Sequence, residues 1–207
     1  MIEVRNVYKS FGKQEVLKDI SAGFDKGEVS LIIGKSGSGK TVLMKCVVGL
    51  MTPTKGQILY DGRDFFNMDK QSKKEVRMEI GMLFQGNALF DSQTVEENVR
   101  FPLDMFTHRT MKEKLIRVDE VLERVGLKGA NKKFPGEISG GMKKRVGIAR
   151  AIVMNPKYLF CDEPNSGLDP QTSILIDDLI LEITEEYQIT TVMNTHDMNS
   201  VVGIGDK

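Results

Sequence analysis

This sequence has no excess of positive or negative charge. Its 207 residues carry 29 Lys plus Arg against 29 Asp plus Glu, a formal net charge of zero. A general nucleic-acid binder shows a basic excess, so the balance argues against that class, while a phosphate ligand needs only a local positive patch. Cysteine is scarce. Cys46 and Cys161 both sit in apolar runs, at no spacing suited to a metal site or a disulfide framework, and read as reduced, buried thiols of a cytosolic protein. No stretch approaches the ~20 apolar residues of a membrane span. Met1-Ile2-Glu3-Val4-Arg5 has no charged leader followed by an apolar core, so no signal peptide is read. Service to a membrane is therefore expected to run through a partner. Internal repeats and low-complexity segments are absent as well. What is left is one domain, or one domain with an inserted subdomain, long enough to remove roughly 70% of the unfolded surface from water.

Apolar patterning divides the chain. Ile2 to Tyr8 and Val16 to Phe24 alternate apolar and polar residues around turn signals at Phe11-Gly12 and Lys26-Gly27, which predicts two antiparallel strands. Val29 to Ile33 is a compact apolar run followed at once by a glycine-rich loop, as suits a strand buried on both faces. A helix is predicted over Thr41 to Leu50, and strands over Gln57 to Tyr60 and Ile80 to Phe84. From Thr94 to about Met154 the spacing becomes helical: Val95, Val99 and Leu103, then Leu115, Val118, Val121, Leu122 and Val125, then Val146, Ile148, Ala149, Ile152 and Val153. Strand character returns at Lys157 to Cys161 and at Thr190 to Asn194, with an amphipathic helix over Thr172 to Tyr187 between them. Strand, helix, strand in that order predicts a right-handed parallel crossover.

Gly34-Lys35-Ser36-Gly37-Ser38-Gly39-Lys40-Thr41 fills the phosphate-loop pattern between a predicted strand and a predicted helix, the context the motif requires. Glycines let successive amides turn inward on phosphate oxygens, and the helix N-terminus adds a favourable dipole. Lys40 is expected to reach the β- and γ-phosphates of ATP and the Thr41 hydroxyl to ligate Mg²⁺. The apolar strand Tyr158-Leu159-Phe160-Cys161 delivers Asp162-Glu163 at its C-terminal edge, where open α/β sheets bind ligands. Asp162 is expected to hold Mg²⁺ and Glu163 to polarise the attacking water. Ser139, Gly140 and Gly141 precede a third predicted helix and make a second anion site, with Ser139 as its N-cap. One chain has no need of two such cradles; two chains facing head to tail do.

With these residues in order, the sequence resembles the ATP-binding cassettes of ABC transporters over essentially its whole length. Ile138-Ser139-Gly140-Gly141-Met142 looks like the signature motif of that family. The resemblance implies that Gln85 is the Q-loop glutamine, which also approaches the metal. It makes Ser166-Gly167-Leu168-Asp169 the D-loop, with Asp169 contacting the opposing subunit. His196 becomes the switch histidine at the γ-phosphate, and Phe11 the aromatic that stacks on adenine. Each has a plainer reading alone: a structural histidine, a strand-end aromatic, a surface amide. Their order relative to Lys40 and Glu163 favours the functional one. His108 has no such support and reads as a surface residue.

The fold implied is an α/β P-loop NTPase (RecA-like) core with a flanking antiparallel β part and an inserted α-helical subdomain. Residues 1–86 and 157–207 form the core, and residues 87–156 carry the signature. The function implied is ATP hydrolysis in a head-to-tail homodimer that drives separate integral-membrane permease subunits from the cytoplasmic face of the inner membrane. A permease helix is expected on Asn87, Leu89, Phe90, Phe101 and Leu103; Phe101 and Leu103 read equally well as core. DNA-repair members of the family carry long coiled coils and translation-associated members two cassettes, and neither feature is present. A non-hydrolysing regulatory cassette would be expected to lack Lys40, Glu163 or His196.

The sequence departs from the family pattern at two points. Met142 stands where the signature ends in glutamine, which is similar to the cassettes of Mce-type and maintenance-of-lipid-asymmetry phospholipid transporters. Leu83 to Asp91 and Thr94 to Val99 resemble that subgroup too, and imply an Mce-type lipid-binding protein in the same complex. An ABC exporter or another importer is the alternative. The chain also stops soon after His196, at Gly203-Ile204-Gly205-Asp206-Lys207, which reads as truncation. The strand before His196 is then expected to be an exposed edge or to lose packing partners.

Overall fold

The computed structural model describes residues 1–205; Asp206 and Lys207, the last of the stretch read as a truncated end, lie outside the described residues. Strands β1 (Ile2–Phe11) and β2 (Gln14–Phe24) form an antiparallel hairpin, followed by β3 (Val29–Ile33) and α1 (Lys40–Val47). Next come β4 (Lys55–Tyr60), β5 (Arg63–Asp64), α2 (Lys70–Met78) and β6 (Ile80–Leu83). Three helices follow, α3 (Val95–Phe106), α4 (Met111–Arg124) and α5 (Gly140–Ile152), then β7 (Tyr158–Asp162), α6 (Pro170–Tyr187), β8 (Thr190–Thr195) and α7 (Met198–Gly205). An antiparallel sheet in the order β2-β1-β4-β5 stands beside a parallel sheet in the order β3-β8-β7-β6. The strand that precedes His196 is not an edge, contrary to expectation. β8 lies between β3 and β7 because its Thr190–Thr195 backbone pairs with both.

Side-chain alternation along the parallel strands decides which core each face serves. Tyr158, Phe160 and Val192 point to one face, where they meet α1 (Leu43, Met44, Val47) and the antiparallel sheet (Ile2, Val4, Ile58). Leu159, Cys161 and Met193 point to the other, against α3, α5 and α6 (Val99, Ile148, Ile152, Ile176, Ile180). Asp162 and Asn194 continue the first register, so their side chains emerge on the α1 face, where the glycine loop ends. Both cysteines are buried and free.

Local chemistry explains where prediction and structure part. The helix predicted to Leu50 ends at Val47 because Gly49 adopts φ 81°, and a Cβ there would lie 2.2 Å from the Phe65 ring. Helix α6 begins at Pro170 rather than Thr172: Asp169 caps it by accepting from the Thr172 amide at 3.0 Å, with proline at the first position. Helix α2 escaped the apolar pattern because Val76 is its single buried residue; Asp69 caps it through the amides of Gln71 and Ser72. The apolar core runs unbroken from α3 and α4 through α5 to the parallel sheet. Helix α5 lies so close to β6 that a Cβ on Gly81 would sit 2.3 Å from the Ala151 carbonyl oxygen.

Candidate nucleotide-binding site

The loop from Gly34 to Gly39 links the C-terminal end of β3 to α1. Gly39 holds φ 99° at the helix entry, a conformation that favours glycine, and a Cβ on Gly34 would approach the Ser38 hydroxyl to 2.7 Å. Lys40, only 8% exposed, donates from Nζ to the carbonyls of Gly34 (2.7 Å) and Lys35 (3.2 Å), folding its ammonium back over the loop. These are carbonyl partners that anionic oxygens would replace. Thr41 Oγ1 lies 3.4 Å from Asp162 Oδ1, so a hydroxyl and a carboxylate meet where β7 ends. Hard oxygen donors of this kind fit a small divalent cation such as Mg²⁺.

Glu163 adopts φ 49°, a left-handed conformation uncommon outside glycine and asparagine, and its amide donates to the Asn194 carbonyl at 3.1 Å. That twist turns its carboxylate away from the sheet and between two loops. Gln85 Nε2 donates to one carboxylate oxygen at 2.8 Å, and His196 Nδ1 lies 3.1 Å from the other. Lys40, Thr41, Gln85, Glu163 and His196 thus line one cleft of about 510 Å³, with Ser36, Gly37 and Gly39 on its floor.

Other sequence-derived candidates lie elsewhere. Phe11 sits at the end of β1, exposed, with the Lys9 ammonium 5.2 Å from its ring centre, and is not part of the cleft wall; Val16 is. Ser139 caps α5 by accepting from the Met142 amide at 3.2 Å, and Gly140 and Gly141 face Leu168 and Thr172 of the following segment. Asp169 spends its carboxylate on Thr172, accepting from Oγ1 at 2.6 Å; those bonds hold it below the usual carboxylate range. None of these five lines the Lys40 cleft.

Two cations of α5 grip the loop that carries Gln85. Lys144 Nζ donates to the Gln85 carbonyl at 2.8 Å, and burial pushes its ammonium below the ordinary lysine range. Arg150 donates to the carbonyls of Ala88 (2.7 Å) and Asn87 (2.5 Å), two residues held at φ 48° and 61°. Sequence reading missed Lys144, Arg150 and Asn194. Asn194 leaves a trace, an amide in an otherwise apolar or hydroxyl-bearing strand, whereas a lysine and an arginine on a helix look like surface residues.

Of the proposed docking residues, Phe90 and Phe101 pack against each other with ring centres 5.0 Å apart, and together with Phe84 and Phe106 they line a groove of about 390 Å³. Leu103 does not belong there; it is fully buried in the helical core, because its position on α3 faces inward with Val95 and Val99. Leu89 packs partly buried against the same core and, like Asn87, does not line the groove. No helix among the described residues is long and apolar enough to cross a membrane.

A family model described as "ABC transporter" matches residues 17–166. Among curated proteins, the "Probable ribonucleotide transport ATP-binding protein mkl" of Mycobacterium leprae is 44% identical over 200 residues, covering 96% of this chain and 57% of that protein. "Methionine import ATP-binding protein MetN 1" of Pseudomonas syringae pv. syringae is 43% identical over 211 residues, covering 100% of this chain and 63% of that one. The chain therefore spans about 57 to 63% of the length of these relatives. Among solved structures, the dimeric bacterial ABC transporter cassette MJ0796 superposes with a TM-score of 0.87 at 32% identity, covering 98% of this chain and 91% of that one. A structure of the same cassette in a post-hydrolysis state with ADP and Pi matches equally well. With the α/β fold, the phosphate loop and a family match over well beyond half its length, the chain belongs to the ABC transporter family, as an ATP-binding domain.

Proposed function

We propose that this chain is the ATP-hydrolysing subunit of a transporter, working as one half of a head-to-tail homodimer with ATP between the halves. One observation carries the reading: Gln85, Glu163 and His196, from three separate loops, meet by hydrogen bonds in the cleft that holds Lys40 and Thr41. In this reading Lys40 binds the β- and γ-phosphates, Thr41, Asp162 and Gln85 hold Mg²⁺, Glu163 orients the attacking water, and His196 contacts the γ-phosphate. The cation, when bound, neutralises charge on the phosphates. Phe11 stacks on adenine. Ser139, Gly140, Gly141 and Asp169 stand apart from this cleft, which favours their serving the nucleotide of the partner copy.

Residues 87–156, with the signature at the head of α5, act as the helical subdomain upon a core of residues 1–86 and 157–207. The groove of Phe84, Phe90, Phe101 and Phe106 takes a cytoplasmic helix of integral-membrane permease subunits, which holds the chain at the inner face of the membrane. Met142 in the signature favours phospholipid as the cargo, with an Mce-type lipid-binding protein in the complex. A second reading, an importer for another substrate, is favoured by the 43% identity to a methionine-import subunit.

The test is the light-scattering mass of Glu163→Gln with and without Mg²⁺-ATP. A monomer that becomes a dimer only with ATP is the expected result. A monomer throughout, with ATP bound, overturns the sandwich; failure to bind ATP overturns the nucleotide site.

A further inference from the structure

Asn194 is fully buried in the middle of the parallel sheet, directly opposite Asp162 in the register between β8 and β7. Its neighbours in the chain are Met193 and Thr195, and an apolar side chain would suit the position by size and by strand preference. The carboxylate of Asp162 only accepts, so the amide nitrogen of Asn194 must face it, and it does, at 3.0 Å from Oδ1. The nitrogen also approaches Met44 Sδ at 3.6 Å. With the nitrogen committed, Asn194 Oδ1 is left buried with no hydrogen-bond partner among the described residues. A buried carbonyl without a partner destabilises a fold, and such a group needs a reason. Thr41 Oγ1 reaches the same Asp162 oxygen at 3.4 Å. Both donors therefore converge on Oδ1, and neither donates to the other carboxylate oxygen.

We infer that Asn194 is the positioning residue that orients the Asp162 carboxylate for a divalent cation. It fixes the rotation of the carboxylate by holding Oδ1, the oxygen that Thr41 Oγ1 also reaches, and so sets how that carboxylate meets the threonine at the start of α1. Replacing a group that holds a metal ligand in place typically costs roughly 10–100-fold in metal affinity. The inference rests on the proposed nucleotide site, and it assigns the cost of the orphaned carbonyl to metal binding rather than to the fold.

The test compares the parent chain with Asn194→Leu, which keeps the size and removes the amide, and with Asn194→Thr, a strand former that keeps a donor. Calorimetry measures ATP affinity in EDTA and in Mg²⁺, and Mn²⁺ binding to the nucleotide complex is followed by electron paramagnetic resonance. The expected result for Asn194→Leu is metal-free ATP affinity within about twofold of the parent, with Mn²⁺ affinity lowered at least ~10-fold. Asn194→Thr should recover part of the loss, and it carries the test if the leucine variant does not fold. Parent-like Mn²⁺ affinity in the variants overturns the inference, as does equal weakening of ATP with and without metal. A parent that binds no nucleotide even in EDTA overturns the site reading itself, and this inference with it.

Discussion

Lys40 shows how a single residue's environment defines its use. Its ammonium is nearly buried, yet its partners are two backbone carbonyls of its own loop, at 2.7 and 3.2 Å. A charge held by neutral acceptors in a glycine-floored cleft is a site for an anion. Replacing Lys40 by alanine removes that charge without touching either apolar core. ATP affinity is expected to fall at least ~10-fold, the factor for losing about 1.4 kcal/mol of binding. Titration calorimetry checks this, with an unchanged denaturation midpoint as the control. Glu163 makes the complementary point: its φ of 49° stores backbone strain in order to aim a carboxylate, and its partners Gln85 and His196 come from other loops.

Elements are positioned by packing that tolerates almost no change at a few places. The α3 entrance is held by a capping box, with Glu97 accepting from the Thr94 amide at 2.8 Å, and by Asn98, which is fully buried and donates to the carbonyls of Phe90, Gln93 and Thr94. Helix α5 lies directly against β6, where Gly81 meets the Ala151 carbonyl and Gly147 meets Leu83. Gly81→Ala would force its methyl against backbone rather than a movable side chain. The expected cost is about 1–3 kcal/mol, read as a lowered denaturation midpoint. Because α5 also carries Lys144 on the Gln85 carbonyl, the same displacement should reach the cleft and lower ATPase activity beyond the loss of folded protein.

At the scale of the whole molecule, the cleft and the signature are separated by the fold. Lys40 and Glu163 line one cleft, while Ser139 to Gly141 abut the Leu168 to Thr172 segment outside it. In the proposed function, a second copy supplies the other half of each site. The aromatic groove between α3 and β6 is a separate surface, bordered by Arg77 and Arg150. Charge introduced at Phe90 and Phe101 together is expected to abolish co-purification with the permease while ATP binding stays at the parent level. Retention of the permease by that double variant would remove the groove as the docking surface. The exposure of both rings on one face, rather than within the helical core, is what separates them from Leu103.

Local patterning made much of this protein legible without coordinates. The strand before the glycine loop, the three apolar faces of α3, α4 and α5, and the order of loop, signature, acidic pair and histidine all follow from short-range periodicity and from chemistry that needs particular residues at fixed spacing. Local reading fell short where a residue's partner lies far along the chain. Helix α2 buries one side chain and leaves no apolar stripe; β8 gains its interior place from pairing with β3 and β7, which no window of sequence contains. Lys144, Arg150 and Asn194 look like ordinary polar residues until the fold brings Gln85, Asn87, Ala88 and Asp162 against them. The sequence by itself determined which groups are available for phosphate and cation binding, because glycine conformations, hydroxyls and carboxylates are properties of residues. Only the tertiary structure decided which of them meet, because burial and hydrogen-bond distance belong to pairs of residues that the sheet and α5 bring together.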